Sequence, residues 1–229
     1  MKRLTGVAEL LDGPLDDPAA LVANLRDLAR LNRLSGGAGL SRRAIAALGG
    51  PTTILDVGTG GADIPVALIA AARADGRALS VTAVDSRPEV LAAARIARPA
   101  IQRIARLEMS VADGRFLPWP DGTFDAAHAS LVIHHLAPDE AVAFLRELRR
   151  VARLGVVVND LVRGRLAWVG TWLAVRAVAR SRYTRHDGPL SVRRAYSRAE
   201  LDELLAAAGL ERVASFAGLA GHRVAVAAR

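Results

Sequence analysis

The stretch Thr53-Ile54-Leu55-Asp56-Val57-Gly58-Thr59-Gly60-Gly61-Ala62-Asp63 decides how this chain folds. An apolar run closing on an acid breaks at once into glycines and then enters a helical pattern. That order predicts a buried strand, a tight loop where backbone approaches a ligand, and a helix whose free N–H groups point to the same place. The next apolar run, Leu79 to Val84, closes on Asp85, and a carboxylate there suits a ribose diol. Together the two features predict a small ligand that contains a nucleoside.

The charges around the glycines narrow the ligand. A loop for NAD or ATP must hold anionic phosphates on bare glycine backbone, often with a lysine. Here Asp56 precedes the loop and Asp63 stands where a third glycine would fall, and Lys2 is the one lysine in the chain. Two carboxylates beside a pyrophosphate would repel it by several kcal/mol at short range. A ligand with a sulfonium and an ammonium group would be attracted, and S-adenosylmethionine has both and no phosphate. Asp63 could instead serve only as a helix N-cap.

At this point the sequence resembles the class I S-adenosylmethionine-dependent methyltransferases. Asp56, Gly58 and Gly60 match their first motif, with Ala62 in place of a third glycine. Asp85 matches the ribose-binding acid, Asp113 in Val111-Ala112-Asp113-Gly114 the adenine-region acid, and Phe124 to Leu136 the fourth-strand motif. The resemblance is good over about residues 50 to 160 and loose beyond. It implies S-adenosyl-L-methionine held by Asp56, Gly58, Thr59, Gly60, Asp63, Asp85, Ser86, Asp113, Gly114 and Ser130. It also implies a small-molecule enzyme similar to quinone and polyketide methyltransferases, most simply one that methylates oxygen on a hydrophobic or phenolic metabolite.

Composition bounds the alternatives. The 229 residues suffice for one domain with a sizeable core, and the absence of cysteine fits a reducing cytoplasm. It also closes the covalent cysteine route to pyrimidine C5. The net charge of +8 comes almost entirely from arginine, scattered rather than interleaved with aromatics, which are 4% of the chain. Scattered arginines read as solvated helix faces and argue against a nucleic-acid partner. An RNA or protein methyltransferase and a non-catalytic cofactor-binding protein are the competing readings. The apolar run Leu166 to Val175 is far shorter than the ~20 residues a membrane span needs.

The chain is expected to form one α/β domain: a doubly wound, mostly parallel seven-stranded sheet with a C-terminal antiparallel hairpin, N-terminal helices and a helical cap insertion. Residues 1–49 read as an N-terminal helical extension, 50–160 as the cofactor-binding core, 161–209 as the cap and 210–229 as the final strands. Asp17-Pro18 starts a helix with Leu21, Leu25, Leu28 and Leu31 on one face; Ser35 to Gly39 ends it, and Ser41 caps a short helix to Leu48. Strands are expected near 53–57, 79–84, 106–112, 124–130 and 154–160, with helices near 63–74, 88–98 and 138–152. A helix near 164–180, a turn-rich loop at Tyr183 to Pro189, a capping box at Ser197-x-x-Glu200 and a hairpin turning at Gly218 to Gly221 complete the pattern.

Three histidines are candidates to act on the acceptor. His134 and His135 follow the fourth strand at the cleft mouth, where a near-neutral imidazole can serve as a base. His186 lies in the turn-rich loop beside Tyr183 and Asp187; it reads either as substrate-facing or as a surface residue held by Asp187. Trp168 and Trp172 share a helix face and read either as core or as a pocket wall. No metal-ligand spacing is visible in the sequence.

Overall fold

The computed structural model describes residues 1–229, the side chain of Leu219 excepted. Its elements in chain order are α1 (Pro18–Leu34), α2 (Gly37–Ala46), β1 (Thr53–Val57), α3 (Asp63–Ala74), β2 (Ser80–Asp85), α4 (Pro88–Ala97), β3 (Leu107–Val111), β4 (Phe124–Ser130), α5 (Pro138–Val151), β5 (Ala152–Leu161), α6 (Arg165–Val178), α7 (Arg182–Arg194), α8 (Arg198–Ala207), β6 (Arg212–Ala217) and β7 (Arg223–Ala228). The strands form a seven-stranded sheet in the order β3-β2-β1-β4-β5-β7-β6, parallel except where β7 pairs with β5 and β6. The expected fold class is thus the observed one. After β3 the chain returns to β4 beside β1, so strand order reverses there. The crevice beyond the carboxyl ends of β1 and β4 is where such sheets bind ligands.

Strand alternation builds both faces. On β1, Leu55 and Val57 enter the cluster with Phe144, Leu145 and Leu148 of α5 and Leu201, Leu204 and Leu205 of α8. Ile54 points the other way, to Leu40 and Ile45 of α2 and Ile64 and Leu68 of α3. Each such side chain, once fully buried, contributes roughly 1.5–3 kcal/mol. A third cluster joins Leu21, Val22 and Leu25 of α1 to Ala93 and Ala94 of α4 and to Tyr183 of α7. It holds α1 over the carboxyl ends of the strands. Helix α8 therefore belongs to the sheet's own layer, and the cap reduces to α6 and α7.

Three expectations fail locally. The break after α1 is only Ser35-Gly36: α2 begins at Gly37, and Ser41 lies inside it, fully buried, rather than capping it. Its hydroxyl is needed in the core, bonding His128 Nε2 (2.8 Å) and the side-chain amide of Asn159 (2.7 Å). The run Tyr183 to Pro189 is not a loop but the first half of α7, with Pro189 inside the helix. Ser181 caps it at the backbone N–H of Tyr183, and the burial of Tyr183, Thr184 and Val192 outweighs the local preference of Gly188 and Pro189 for turns. Finally, Trp168 and Trp172 are neither core nor pocket wall. Both are exposed on the outer side of α6, and Trp172 lies under the Arg176 guanidinium. The turn expected between Gly218 and Gly221 includes Leu219, whose side chain lies outside the described residues.

Candidate active site

The glycine turn after β1 has the backbone its sequence requires. Gly58 and Gly60 have φ of 72° and 53°, and a Cβ on Gly58 would stand 2.5 Å from Val132 Cγ2. Ala62 takes a left-handed φ of 52°, a strain of about 1 kcal/mol that a third glycine would relieve. The amides of Gly58 and Thr59 both bond the Val84 carbonyl (2.9 Å each), which ties the turn to the end of β2. Asp85 then accepts from the Gly60 amide and the Arg87 amide, both at 3.1 Å. Burial raises its carboxyl above the usual range against those bonds, with the nearby Asp56 charge pushing the same way. Burial likewise raises Asp63 at the start of α3, where Asn32 Nδ2 donates to it at 2.9 Å. Thr59 Oγ1 is buried and has no hydrogen-bond partner among the described residues.

Asp56 is held from beneath. Its register partner across β1 and β4 is His128, and both side chains turn to the α2 face. His128 Nδ1 lies 2.5 Å from Asp56 Oδ1 while Nε2 meets the Ser41 hydroxyl, so the proton sits on Nδ1. The chain Asn159–Ser41–His128–Asp56 satisfies four buried polar side chains. It also fixes the carboxylate under the glycine turn.

Asp56, Gly58, Thr59, Gly60, Asp63, Asp85, Ser86 and Ser130 all line one cavity of about 610 Å³. Asp113 and Gly114 do not. Asp113 is partly exposed, and Arg115 Nη2 holds its carboxylate at 2.7 Å, which keeps it below the usual range. Gly114 is half-buried against the core, where a Cβ would stand 2.5 Å from Phe144 Cε2 and 2.6 Å from Val57 Cγ1.

The far wall of the cavity is made by His134 and His135, on a short 3-10 turn after β4, and by Glu9 from the N-terminal strap. His134 Nδ1 lies 2.6 Å from Asp160 Oδ1 at the end of β5, and His135 Nδ1 lies 2.8 Å from Asp12 Oδ1. Each Nδ1 therefore carries the proton and each Nε2 is a lone pair. Both face Glu9: His134 Nε2 is 3.9 Å from Oε1 and His135 Nε2 is 3.9 Å from Oε2. Glu9 is 4% exposed, takes one bond from the Ser191 hydroxyl (2.9 Å), and leaves Oε1 without a hydrogen bond among the described residues. Burial pushes its carboxyl up to about 7 despite the neighbouring His135 and Arg194. Asp12 and Asp160 go the other way. Burial would raise both, but the hydrogen bonds that Asp12 accepts from His135 and Arg194, and Asp160 from His134, outweigh it.

Glu9, His128 and Arg223 escaped the sequence reading. The strap that carries Glu9 has no hydrophobic periodicity; it is placed by Asp187 of α7, which accepts from the amides of Leu10 (2.9 Å) and Leu11 (3.1 Å). The same Asp187 holds His186 Nδ1 at 2.7 Å, and His186 points outward, outside the cavity lining. Arg223 is 2% exposed and bonds Asn159, Asn32 and Ser130 at 2.6–2.7 Å; burial lowers it to about 10. Arg223→Met should lower the free energy of unfolding by about 2 kcal/mol, because it removes the guanidinium from two buried partners, Asn32 and Asn159, and from the half-buried Ser130. A urea denaturation series checks this.

A domain family described as Methyltransferase domain matches residues 54–155, the span from β1 into β5. Over this span the chain is similar to methyltransferase domains. The ubiquinone/menaquinone biosynthesis C-methyltransferase UbiE of Geobacter sp. (strain M21) is 30% identical over 131 residues, 55% of this chain and 53% of that protein. The chain thus spans about half the length of the curated relatives it matches. Among solved structures, a SAM-dependent methyltransferase from Aquifex aeolicus aligns over 93% of this chain and 97% of its own, with a TM-score of 0.64 at 22% identity. The O-methyltransferase NcsB1 from neocarzinostatin biosynthesis, in complex with S-adenosyl-L-homocysteine and 1,4-dihydroxy-2-naphthoic acid, aligns over 96% of this chain and 61% of its own (TM-score 0.68, 24% identity). At these identities the structural likeness speaks for the fold. Among the described residues no helix is long and apolar enough to cross a membrane.

Proposed function

We propose that the protein transfers a methyl group from S-adenosylmethionine to a hydroxyl of a small hydrophobic or phenolic acceptor. The observation that carries this reading is the set of residues that line one continuous cavity. It joins the glycine turn and Asp85 at one end to the Glu9–His134–His135 wall at the other, under an apolar roof of α1 and α6 residues such as Leu25, Leu28, Ala167 and Ala174.

The donor end fits its cofactor. Asp85 would take the ribose diol, the Gly58–Gly60 turn and the N-terminus of α3 the amino-acid portion, and Thr59 Oγ1 supplies a buried hydroxyl in need of a partner. Asp56 and Asp63 suit a ligand bearing positive charge. When bound, the cofactor supplies a methyl group already activated on a sulfonium. The protein must then align the acceptor oxygen, exclude water and remove one proton.

His134 is the side chain placed to take that proton. Asp160 fixes its tautomer, so the lone pair of Nε2 faces the cavity, and Glu9 beside it carries a carboxyl held near neutrality. The roof of α1 and α6 sheds water from the acceptor, and Gly170 and Thr171 on the inner side of α6 leave room for a planar ring. A cysteine-free chain fits this work in a reducing cytoplasm.

Incubation with S-adenosylmethionine labelled in the methyl group and a panel of hydroxylated aromatics, among them dihydroxynaphthoates, tests the reading. Label should appear on phenolic oxygen of at least one such compound. Transfer only to RNA or to protein would refute it.

A further inference from the structure

We infer that Glu9, His134 and His135 form a binding site for a divalent transition-metal cation, of the zinc type, at the acceptor end of the cavity. The nitrogen and oxygen donors of the three side chains all lie within 4.8 Å of one another, and two of the three residues are buried. Ligand atoms around a tetrahedral zinc stand about 3.4 Å apart, from bonds of about 2.0–2.1 Å; His134 Nε2 and His135 Nε2 each lie 3.9 Å from a Glu9 oxygen, Oε1 and Oε2 respectively, so the three donors must close by up to about 1.4 Å to share one ion.

Three observations beyond proximity point to a cation. Glu9 Oε1 is buried and without a hydrogen bond among the described residues, an arrangement that costs stability unless something positive occupies the space before it. Both imidazoles have Nδ1 engaged by a carboxylate, Asp160 and Asp12, with Nε2 turned inward; this is the carboxylate–histidine–metal pattern by which proteins orient metal-binding imidazoles. The charge balance agrees. Around the cluster stand four carboxyls, of Glu9, Asp12, Asp160 and Asp187, against two guanidiniums, of Arg194 and Arg3. Arg194 Nη1 lies 3.6 Å from Glu9 Oε1, but its hydrogen bond goes to Asp12 Oδ2 at 2.6 Å.

Three protein ligands leave coordination positions open towards the cavity, the arrangement of catalytic rather than structural zinc. This deepens the role of the cluster and rests on the proposed acceptor chemistry only for its purpose: a cation there would bind the acceptor oxygen as the alkoxide or phenoxide, its proton passing to solvent water, and His134 would then serve as a ligand in place of a base. The spacing of residues along the chain gave no hint of it, because Glu9 reaches the histidines only through folding.

The test needs no methyl donor. Chelator-treated protein is titrated with Zn²⁺ by calorimetry and with Co²⁺ by visible absorption. A 1:1 complex with Kd of about 1 µM or tighter is expected, and the Co²⁺ complex should show the intense visible bands of a low-coordinate site. Glu9→Gln and His135→Gln should each weaken binding by at least about tenfold, Asp12→Asn by about 10–100-fold, and His186→Gln not at all. Failure to bind either ion, or binding unaffected by Glu9→Gln and His135→Gln, overturns the proposal. Should those variants not fold by circular dichroism, X-ray absorption on the wild-type zinc complex decides. Two imidazoles in the first coordination sphere support the site, and a sphere without imidazole overturns it. None of these outcomes depends on whether methyl transfer to a phenol is observed.

Discussion

Replacing His134 by Ala should lower kcat by about 10²–10⁴ while leaving the affinity for S-adenosylmethionine unchanged. The separation follows from the hydrogen bonds, since His134 is held by Asp160 while Asp85 is held by the amides of Gly60 and Arg87. Asp160→Asn should reproduce a large part of the loss without removing the imidazole. An amide would donate to Nδ1 and drive the proton onto Nε2, the nitrogen that has to be free. Steady-state kinetics on any acceptor found in the label screen, with calorimetric titration of the donor, checks both variants. A proportionate loss of donor affinity would move His134 out of the acceptor role. If the cation is present, the same substitutions also lower metal content, so metal analysis belongs beside the kinetics.

The second large effect lies at the other end. Asp85→Ala should raise the Kd for S-adenosylmethionine by on the order of 10–100-fold, the loss of charge-assisted hydrogen bonds of about 1.5–3 kcal/mol. The substitution also releases the Gly60 amide and so loosens the turn itself. Asp85→Asn should fall between the two, because its carbonyl still accepts one bond. Asp113→Ala is the informative contrast. Its carboxylate is outside the cavity lining and already held by Arg115, so the donor affinity should hardly change. Calorimetry on the three variants decides whether the acid after β2 or the acid after β3 carries the nucleoside.

These two sites differ in how far the sequence revealed them. The donor end was legible because it is local. Strand, glycine turn and helix follow one another over eleven residues, and the closing acid of the next strand needs only parallel pairing of β1 with β2 to arrive beside the turn. Short apolar runs gave the strands, and the reversal of strand order after β3 put Asp56, Asp85 and His134 at the carboxyl ends of neighbouring strands. The acceptor end was half legible. His134 and His135 could be placed at the mouth from their position after β4. Glu9 could not: it lies in a polar stretch and is located by Asp187, 178 residues further along the chain. Asp113 is the converse case: its motif position was plain in sequence, but that position could not show that Arg115 holds the carboxylate outside the cavity lining. The cap was misread for a related reason. Gly188 and Pro189 are turn formers by local preference, yet Ser181 capping and the burial of Tyr183 and Val192 impose a helix.

Arg223 shows how the final hairpin serves the site. It begins β7 and passes under the fold to Asn32 at the end of α1, 191 residues away, and to Ser130 at the end of β4. One buried guanidinium thus joins the roof of the cavity to its floor. Its pairing with Asn159 connects it in turn to the Ser41–His128–Asp56 chain beneath the glycine turn.

A crystal structure of the protein with S-adenosylhomocysteine and a phenolic acceptor identified by label transfer is the most direct test of the account. The ribose should sit on Asp85, the sulfur should face the Glu9–His134 wall, and the acceptor oxygen should lie within roughly 2.6–3.2 Å of His134 Nε2 or within the coordination shell of a cation held there. An acceptor bound outside the cavity, or a nucleoside seated away from Asp85 with α1 between its sulfur and His134, would contradict it.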